Sequence, residues 1–350
     1  MDTEEPEARA TLEMVARTAG VSKATASKVL NDRPGVAAAT RRKVQEALRG
    51  LQYEPSTGPR APQHPTVVNV VFDTLINLYS TEVLNGTLAA ARELSLELVV
   101  DVLGVPAPAS ATAPLSLPWI REIAHKGRLG VVIVTTELNS AQLDVFREEH
   151  LPVVVIDPLN PTDQRIVSVA STNFTGGVQA TTHLLELGHR RIGFAGGPVQ
   201  SYAAVERFNG FRSALESSGI EVDPDLAMYG AFTYDSGVEM GSKLLDRDDP
   251  PTAIFAGCDA SAMGIYEAAR RLGRTIPNDL SVVGFDDTAT ALWSAPPLTT
   301  VRQPITELGR VAIRTLMEQA RGEAPMSHHV QLATRLVPRQ STGPVRGRAA

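Results

Sequence analysis

Beyond residue 65 the chain alternates short apolar runs with amphipathic stretches. The runs are VVNVVF (67–72), LELVVDVL (96–103), GVVIVTT (130–136), PVVVID (152–157), IVSVAS (166–171), RIGFAGG (191–197), AIFAGCD (253–259) and SVVGFDD (281–287). Most are β-branched and apolar at consecutive positions, as a strand buried on both faces of a parallel sheet requires. Between them, TEVLNGTLAAARELSL, GVQATTHLLELGH, AAVERFNGFRSALESSG and ASAMGIYEAARRLG carry apolar residues at helical spacing. Strand and helix in turn predict a doubly wound α/β body with parallel sheets in two lobes, spanning residues 66–342.

Ahead of residue 53 the pattern is helical throughout. In TLEMVARTAGVSKATASKVLN (11–31), Thr11 is placed to cap a first helix whose stripe is Leu12, Val15, Ala16 and Ala19. Gly20 falls where a helix ends in a left-handed residue, and Val21 follows as the buried turn residue. Ser22 then caps a second helix, with Ala26, Val29 and Leu30 inward and Lys23, Ala24, Thr25, Ser27 and Lys28 outward. A third helix, with Thr40 as its expected cap, turns Val44, Ala47, Leu48 and Leu51 to one side. Cap, small residue at the crossing, turn glycine and apolar spacing agree on an all-α helix-turn-helix head over 10–53, whose second helix enters a DNA major groove. Residues 54–65, EPSTGPRAPQHP, hold four prolines and a glycine and predict an extended, semi-rigid linker.

Charge sharpens this division. The chain of 350 residues carries a net −6, yet residues 9–60 hold ten Lys/Arg against four acids. A small basic head on an acidic body faces one polyanion. No apolar run approaches the roughly 18 residues that span a bilayer. The start, MDTEEPEARA, is acidic and has no apolar h-region, and Cys258 is the sole cysteine. A cytoplasmic, reducing location is expected.

Catalytic signatures are missing. There is no Gly-x-x-x-x-Gly-Lys loop, Gly-x-Ser-x-Gly elbow or His-Glu-x-x-His helix. His183 and His189 are six apart, which is not one helix face, and His328–His329 have no acidic partners. Asp286–Asp287 invites an acid/base reading but lacks a nucleophile or metal cluster. The expectation is no enzyme, no metal and no cofactor. The polar residues that end the strands, Asp73, Thr135, Glu137, Asp157, Asn173, Asp259 and Asp286–Asp287 among them, instead frame a cleft for a polar small molecule.

The motifs Val-Ala, Ala-Gly-Val-Ser, Thr-x-Ser-x-Val-x-Asn and Leu-x-Tyr-x-Pro in VARTAGVSKATASKVLN and TRRKVQEALRGLQYEP resemble the DNA-binding head of the LacI–GalR family of bacterial transcriptional regulators. The resemblance covers nearly the whole body as well, through HLLELGHRRIGFAGG, ERFNGFRSALESSGI, PTAIFAGCDASAMGIYEAARRLGRTIPNDLSVVGFDD and PPLTTVRQP, and so implies a core like that of periplasmic sugar-binding proteins. By it, Lys23, Ala24 and Lys28 occupy base-reading positions, and Ser22, Thr25, Ser27 and Asn31 hold phosphates or orient the helix. Asp157, Arg207 and Asp286 match effector contacts, Phe232 an aromatic that stacks on the ligand, and Asn77 and Tyr79 an effector loop. Cys258 stands where the family usually has a polar residue.

The chemistry runs parallel: carboxylates with a bidentate arginine suit vicinal hydroxyls, and an aromatic plate suits a sugar's C–H face. Blander roles stay open for the same residues. Arg207 fits a solvated helix face, Asp157 and Asp286 fit turn caps, Phe232 fits core, and Cys258 fits a small hydrophobe. In the linker Tyr53, Pro55 and Arg60 keep the family's places, while Ser56, Pro59 and Pro62 replace its Asn, Ala and minor-groove leucine.

The resulting expectation is a repressor that binds a palindromic operator as a homodimer. Its effector is a sugar, or a nucleobase on the same scaffold, held between lobe one (about 66–172 and 302–331) and lobe two (about 173–301 and 332–342). GPVRGRAA after LVPRQST has no heptad pattern for a tetramer. The competing class is a small-molecule receptor without gene control, which would carry a signal peptide and no helix-turn-helix.

Overall fold

The computed structural model describes residues 11–30, 36–51, 66–103, 112–160, 163–323 and 327–345. Asn31, Arg60 and the linker 54–65 lie outside the described residues. The head and the body form two separate compact units.

In the head, α1 (Leu12–Thr18), α2 (Lys23–Leu30) and α3 (Ala38–Gly50) enclose Val15, Ala16, Ala26, Val29, Val44 and Ala47. Thr11 Oγ1 accepts the Met14 N–H at 3.3 Å, and Ser22 Oγ accepts the Thr25 N–H at 3.1 Å, so each of the first two helices has its side-chain cap. Gly20 sits at φ +66°, and the Val21 N–H then returns to the Ala16 carbonyl at 2.9 Å. A β-carbon would strain that turn. Two details differ from the sequence pattern. Leu30 is only half-buried, and α3 starts before Thr40, because Ala37–Ala39 are strong helix formers and the Arg41 N–H already reaches the Ala37 carbonyl at 2.9 Å.

The body begins with β1 (Val67–Phe72), α4 (Leu78–Glu93), β2 (Glu97–Val102), α5 (Leu117–His125), β3 (Gly130–Val134), α6 (Ser140–Glu148), β4 (Val153–Ile156) and β5 (Ser168–Ser171). It crosses to a second lobe at α7 (Asn173–Glu186), followed by β6 (Ile192–Gly196), α8 (Tyr202–Ser217), β7 (Ala227–Tyr229), α9 (Tyr234–Leu245), β8 (Ala253–Ala256), α10 (Asp259–Arg271), β9 (Ser281–Asp286), α11 (Ala289–Trp293) and β10 (Thr299–Arg302). It then returns to the first lobe for α12 (Ile305–Ala320) and β11 (His329–Leu332), and ends in the second with β12 (Arg335–Val337).

Two six-stranded sheets result, ordered β11-β5-β4-β3-β1-β2 and β12-β10-β9-β8-β6-β7. All pairings are parallel except β10 with β12. Each sheet is covered on both faces, which explains the continuous apolar runs. In the first, Val70, Phe72, Val132 and Val134 pack under α4 and α12, while Val71, Val131, Ile133 and Val155 pack under α5 and α6. Fully buried side chains such as Ile133 and Phe285 contribute about 1.5–3 kcal/mol each.

Three crossings between the lobes put the carboxyl ends of both sets of strands at a shared crevice. Arg302 pairs with Asp286 in the second sheet and Leu332 with Ser171 in the first, so both changeovers fall one residue beyond the sequence division. The strands β7, β11 and β12 lack an apolar run because they lie at sheet edges, and β10 lacks one because its buried positions include Thr299 and Thr300. Among the described residues, no helix is long and apolar enough to cross a membrane.

Candidate functional site

The strand ends hold their side chains in unusual backbone. Thr135, Asp157, Asp286 and Asp287 lie at φ +51°, +46°, +116° and +59°, just where β3, β4 and β9 finish. Each such non-glycine conformation costs of order 1–3 kcal/mol and gathers where a structure presents a ligand. Asp157 and Asp286 are nonetheless 8% exposed apiece.

From the first lobe, Asn77 caps α4 by accepting the Ser80 N–H at 2.7 Å. That cap aims the first turn of α4 at the crevice, and the Tyr79 hydroxyl donates to Asp157 Oδ2. The Asp157 carboxylate is buried and also draws on the Ser171 backbone N–H. Burial pushes the Asp157 carboxyl up, against the Tyr79 bond and the nearby Arg207 charge, and it raises the Tyr79 phenol well above its ordinary value.

From the second lobe, Arg207 on α8 is 4% exposed and held at two of its nitrogens. Its Nε donates to Asn173 Oδ1 at 2.9 Å and its Nη1 to the Gly257 carbonyl at 2.6 Å. The guanidinium carbon lies 3.8 Å from the Phe285 ring centre and 5.3 Å from that of Phe232, within cation–π range of both. Glycine builds this placement: a β-carbon on Gly177 would strike the Arg207 carbonyl, and one on Gly197 would strike the Phe232 ring. Asp286 Oδ1 stands 3.8 Å from Arg207 Nη1 and accepts from Gln303 Nε2 at 2.6 Å. Burial pushes the Asp286 carboxyl up to about 7, with Arg207 and Gln303 pulling it down and Asp157 and Glu82 adding to the rise.

The structure therefore brings Tyr79, Asp157, Arg207, Phe232 and Asp286 together. Asn77 is adjacent but spends its side-chain oxygen on the helix cap. Cys258 caps α10: its buried Sγ accepts the Ser261 N–H at 3.4 Å, and burial pushes the thiol up to about 12. Asp259, another polar strand end, is turned inward and held by Thr300 Oγ1 at 2.6 Å and the Thr288 N–H at 2.7 Å. Gln303 and the Gly257 carbonyl escaped the sequence reading. Gln303 could have been found in PPLTTVRQP, directly after the last residue of β10. Among the described residues, no cluster of three His, Cys, Asp or Glu side chains is arranged to hold a metal.

On the head, α2 leaves Ser22, Lys23, Ala24 and Lys28 exposed and Thr25 and Ser27 half-buried. Thr25 Oγ1 lies 2.9 Å from Ser22 Oγ, and Lys23 Nζ lies 3.8 Å from Glu13 across open surface. One face thus carries two cations and several hydroxyls, the mixture that contacts bases and phosphates.

Residues 11–56 match the bacterial regulatory proteins of the lacI family, and residues 181–342 match the periplasmic binding protein-like domain. Over 344 residues the chain is 35% identical to the HTH-type transcriptional regulator CelR of Thermobifida fusca, covering 95% of this chain and 98% of that one. It belongs to the LacI family. As a LacI-family member it is a DNA-binding transcriptional regulator and not an enzyme. Catabolite control protein A of Priestia megaterium is 32% identical over 331 residues, covering 94% and 98% of the two chains. A solved complex of the transcriptional regulator CelR with cellobiose superposes with a TM-score of 0.71 at 32% identity, over 95% of this chain and all of that one. The lac repressor dimer bound to operator and the anti-inducer ONPF gives 0.71 at 26% identity, over 96% and 100%.

Proposed function

We propose that this LacI-family regulator is a repressor that reads a palindromic operator through α2 as a homodimer, and that a sugar held between its lobes sets its operator affinity. The observation that carries the effector half is the meeting of Asp157, Arg207 and Asp286 beside Phe232: two buried carboxylates and a fixed guanidinium accept from and donate to vicinal hydroxyls, and the ring offers an apolar face. The cellobiose in the CelR complex supports the same class of ligand. The lac repressor dimer on its operator supports pairing, since one small head buries little surface on DNA and two heads on a two-fold site multiply discrimination. The effector domain takes lobe one as 66–172 and 303–332 and lobe two as 173–302 and 333–342. A cytoplasmic location follows from the DNA target.

Thermal shift with mono- and disaccharides and nucleobases tests this, because a ligand stabilises the fold that binds it. A carbohydrate is expected to raise the melting temperature and to change operator affinity, while Arg207→Ala and Asp286→Ala lose that response and still bind operator. Stabilisation by nucleobases alone, or by nothing in the panel, overturns the sugar assignment.

A further inference from the structure

A cavity of about 180 Å³ lies beside the crevice, between the first lobe's β4, β5 and β11 and the first turns of α8. That is the liquid volume of about six waters, enough for one small ring. It shares two walls with the crevice, Asp157 and Asn173, and continues past them to Tyr202, Glu206 and His329. Glu206 is hydrogen-bonded by Asn173, the residue that also holds Arg207 Nε. His329 Nδ1 is tied to Ser168 Oγ at 2.9 Å.

The lining has a definite chemical sense. Asp157 and Glu206 bring two carboxylates, both hydrogen-bond acceptors when ionised, to the lining. Ser168, Asn173, His329 and Gln331 add further polar groups, and Pro158, Val330 and Tyr202 supply the apolar and aromatic part of the wall. A mere packing gap would be walled far more cheaply by apolar groups, since burying polar side chains costs free energy. What fits is a compact ring with hydroxyl donors around its rim and C–H faces above and below. We propose that this side cavity is a second subsite, which takes the next pyranose ring of an oligosaccharide whose first ring lies against Arg207 and Phe232. Glu206 and Tyr202 then select for chain length. The inference rests on the sugar reading above.

The test compares methyl glycosides with the matching disaccharides, cellobiose included, by isothermal titration on the full chain. The wild type is expected to prefer a disaccharide over its one-ring glycoside by about tenfold or more, the worth of one or two hydrogen bonds to a charged group. Glu206→Gln and Tyr202→Ala should remove that preference while leaving glycoside affinity, melting temperature and operator binding as they are. An unchanged preference in both folded variants, or a wild type that binds one ring as tightly as two, overturns the subsite and leaves the sugar reading intact. A wild type that binds no carbohydrate overturns both.

Discussion

Arg207 donates from Nε to Asn173 Oδ1 at 2.9 Å, which ties the guanidinium to the first residue of α7, where the chain enters the second lobe. Asn173 is itself 2% exposed. Asn173→Ala is expected to leave the buried Nε without an acceptor, at a cost of about 1–3 kcal/mol. Effector affinity should fall about ten- to a hundredfold while operator binding without effector stays the same. Titration calorimetry and a gel-shift assay check the two halves, and an unaltered effector affinity contradicts the role given to Asn173.

Tyr79 reaches Asp157 from the turn that Asn77 caps, and the bond serves the ionised carboxylate. Burial opposes that ionised form and Tyr79 defends it. Tyr79→Phe should therefore destabilise the body by about 1–2 kcal/mol at neutral pH. The loss should shrink as pH falls and Asp157 takes up a proton. Urea unfolding of both proteins at two pH values measures it, and a difference that does not vary with pH would mean that packing rather than the hydrogen bond was removed.

Asp286 makes stability itself depend on pH. Its carboxyl rises from the ordinary 3.8 to about 7 on folding, so between those values the folded chain holds a proton that the unfolded chain has released. Stability from this group is greatest at low pH and is lost as pH climbs toward about 7. Asp286→Asn removes the penalty. It is expected to stabilise the body at pH 8 by at least about 1 kcal/mol, or about 2–4 °C in melting temperature, and to flatten the profile between about pH 4 and 8. Wild-type effector affinity should strengthen over the same interval, because the ionised carboxylate accepts two hydroxyls. Parallel melting curves for wild type and variant across that interval would refute the assignment.

These residues were unequally legible in the sequence. The strands whose two faces are both buried announced themselves, as in GVVIV of β3, because nothing polar interrupts them. Arg207 and Asp286 needed the family motifs, since a lone arginine on a helix or an aspartate after a strand has many roles. Gln303 lay inside the motif PPLTTVRQP, but its role comes from β10 lying beside β9, a pairing no local pattern encodes. Asp259 shows the reverse failure. It is as polar and as well placed in sequence as Asp157, yet Thr288 and Thr300 turn it into an internal brace. Which way a strand-end carboxylate faces is settled by neighbours distant in sequence.

On the head, Lys28 is exposed on the outer face of α2. Lys28→Ala should weaken operator binding by about 1–3 kcal/mol and relax preference at one base position. A substitution that merely removed a phosphate contact would instead weaken all sequences alike and reduce the salt slope by about one. Binding to operator and to a scrambled duplex, each at several salt concentrations, separates the two. Unchanged operator affinity at fixed salt removes Lys28 from the reading face.

The linker between head and body should change the mechanism most. The LacI–GalR hinge that the sequence resembles forms a short helix on DNA and wedges a leucine into the minor groove, kinking the duplex. Here Pro62 stands at the leucine position, and Gly58 and Pro59 precede it. An internal proline costs a helix about 3 kcal/mol, more than so short a helix gains from its own hydrogen bonds. The expectation from composition is an extended spacer, with Arg60 meeting a phosphate. Effector state would then reach the operator through the spacing of the two heads. Gel-phasing analysis should accordingly find little bend in the bound operator. Lengthening or shortening the half-site separation by one base pair should cost more affinity than mutating the central step where a wedge would enter. A bend as large as a leucine-wedged kink, or strong sensitivity to the central step alone, would show that these prolines fold into a hinge after all.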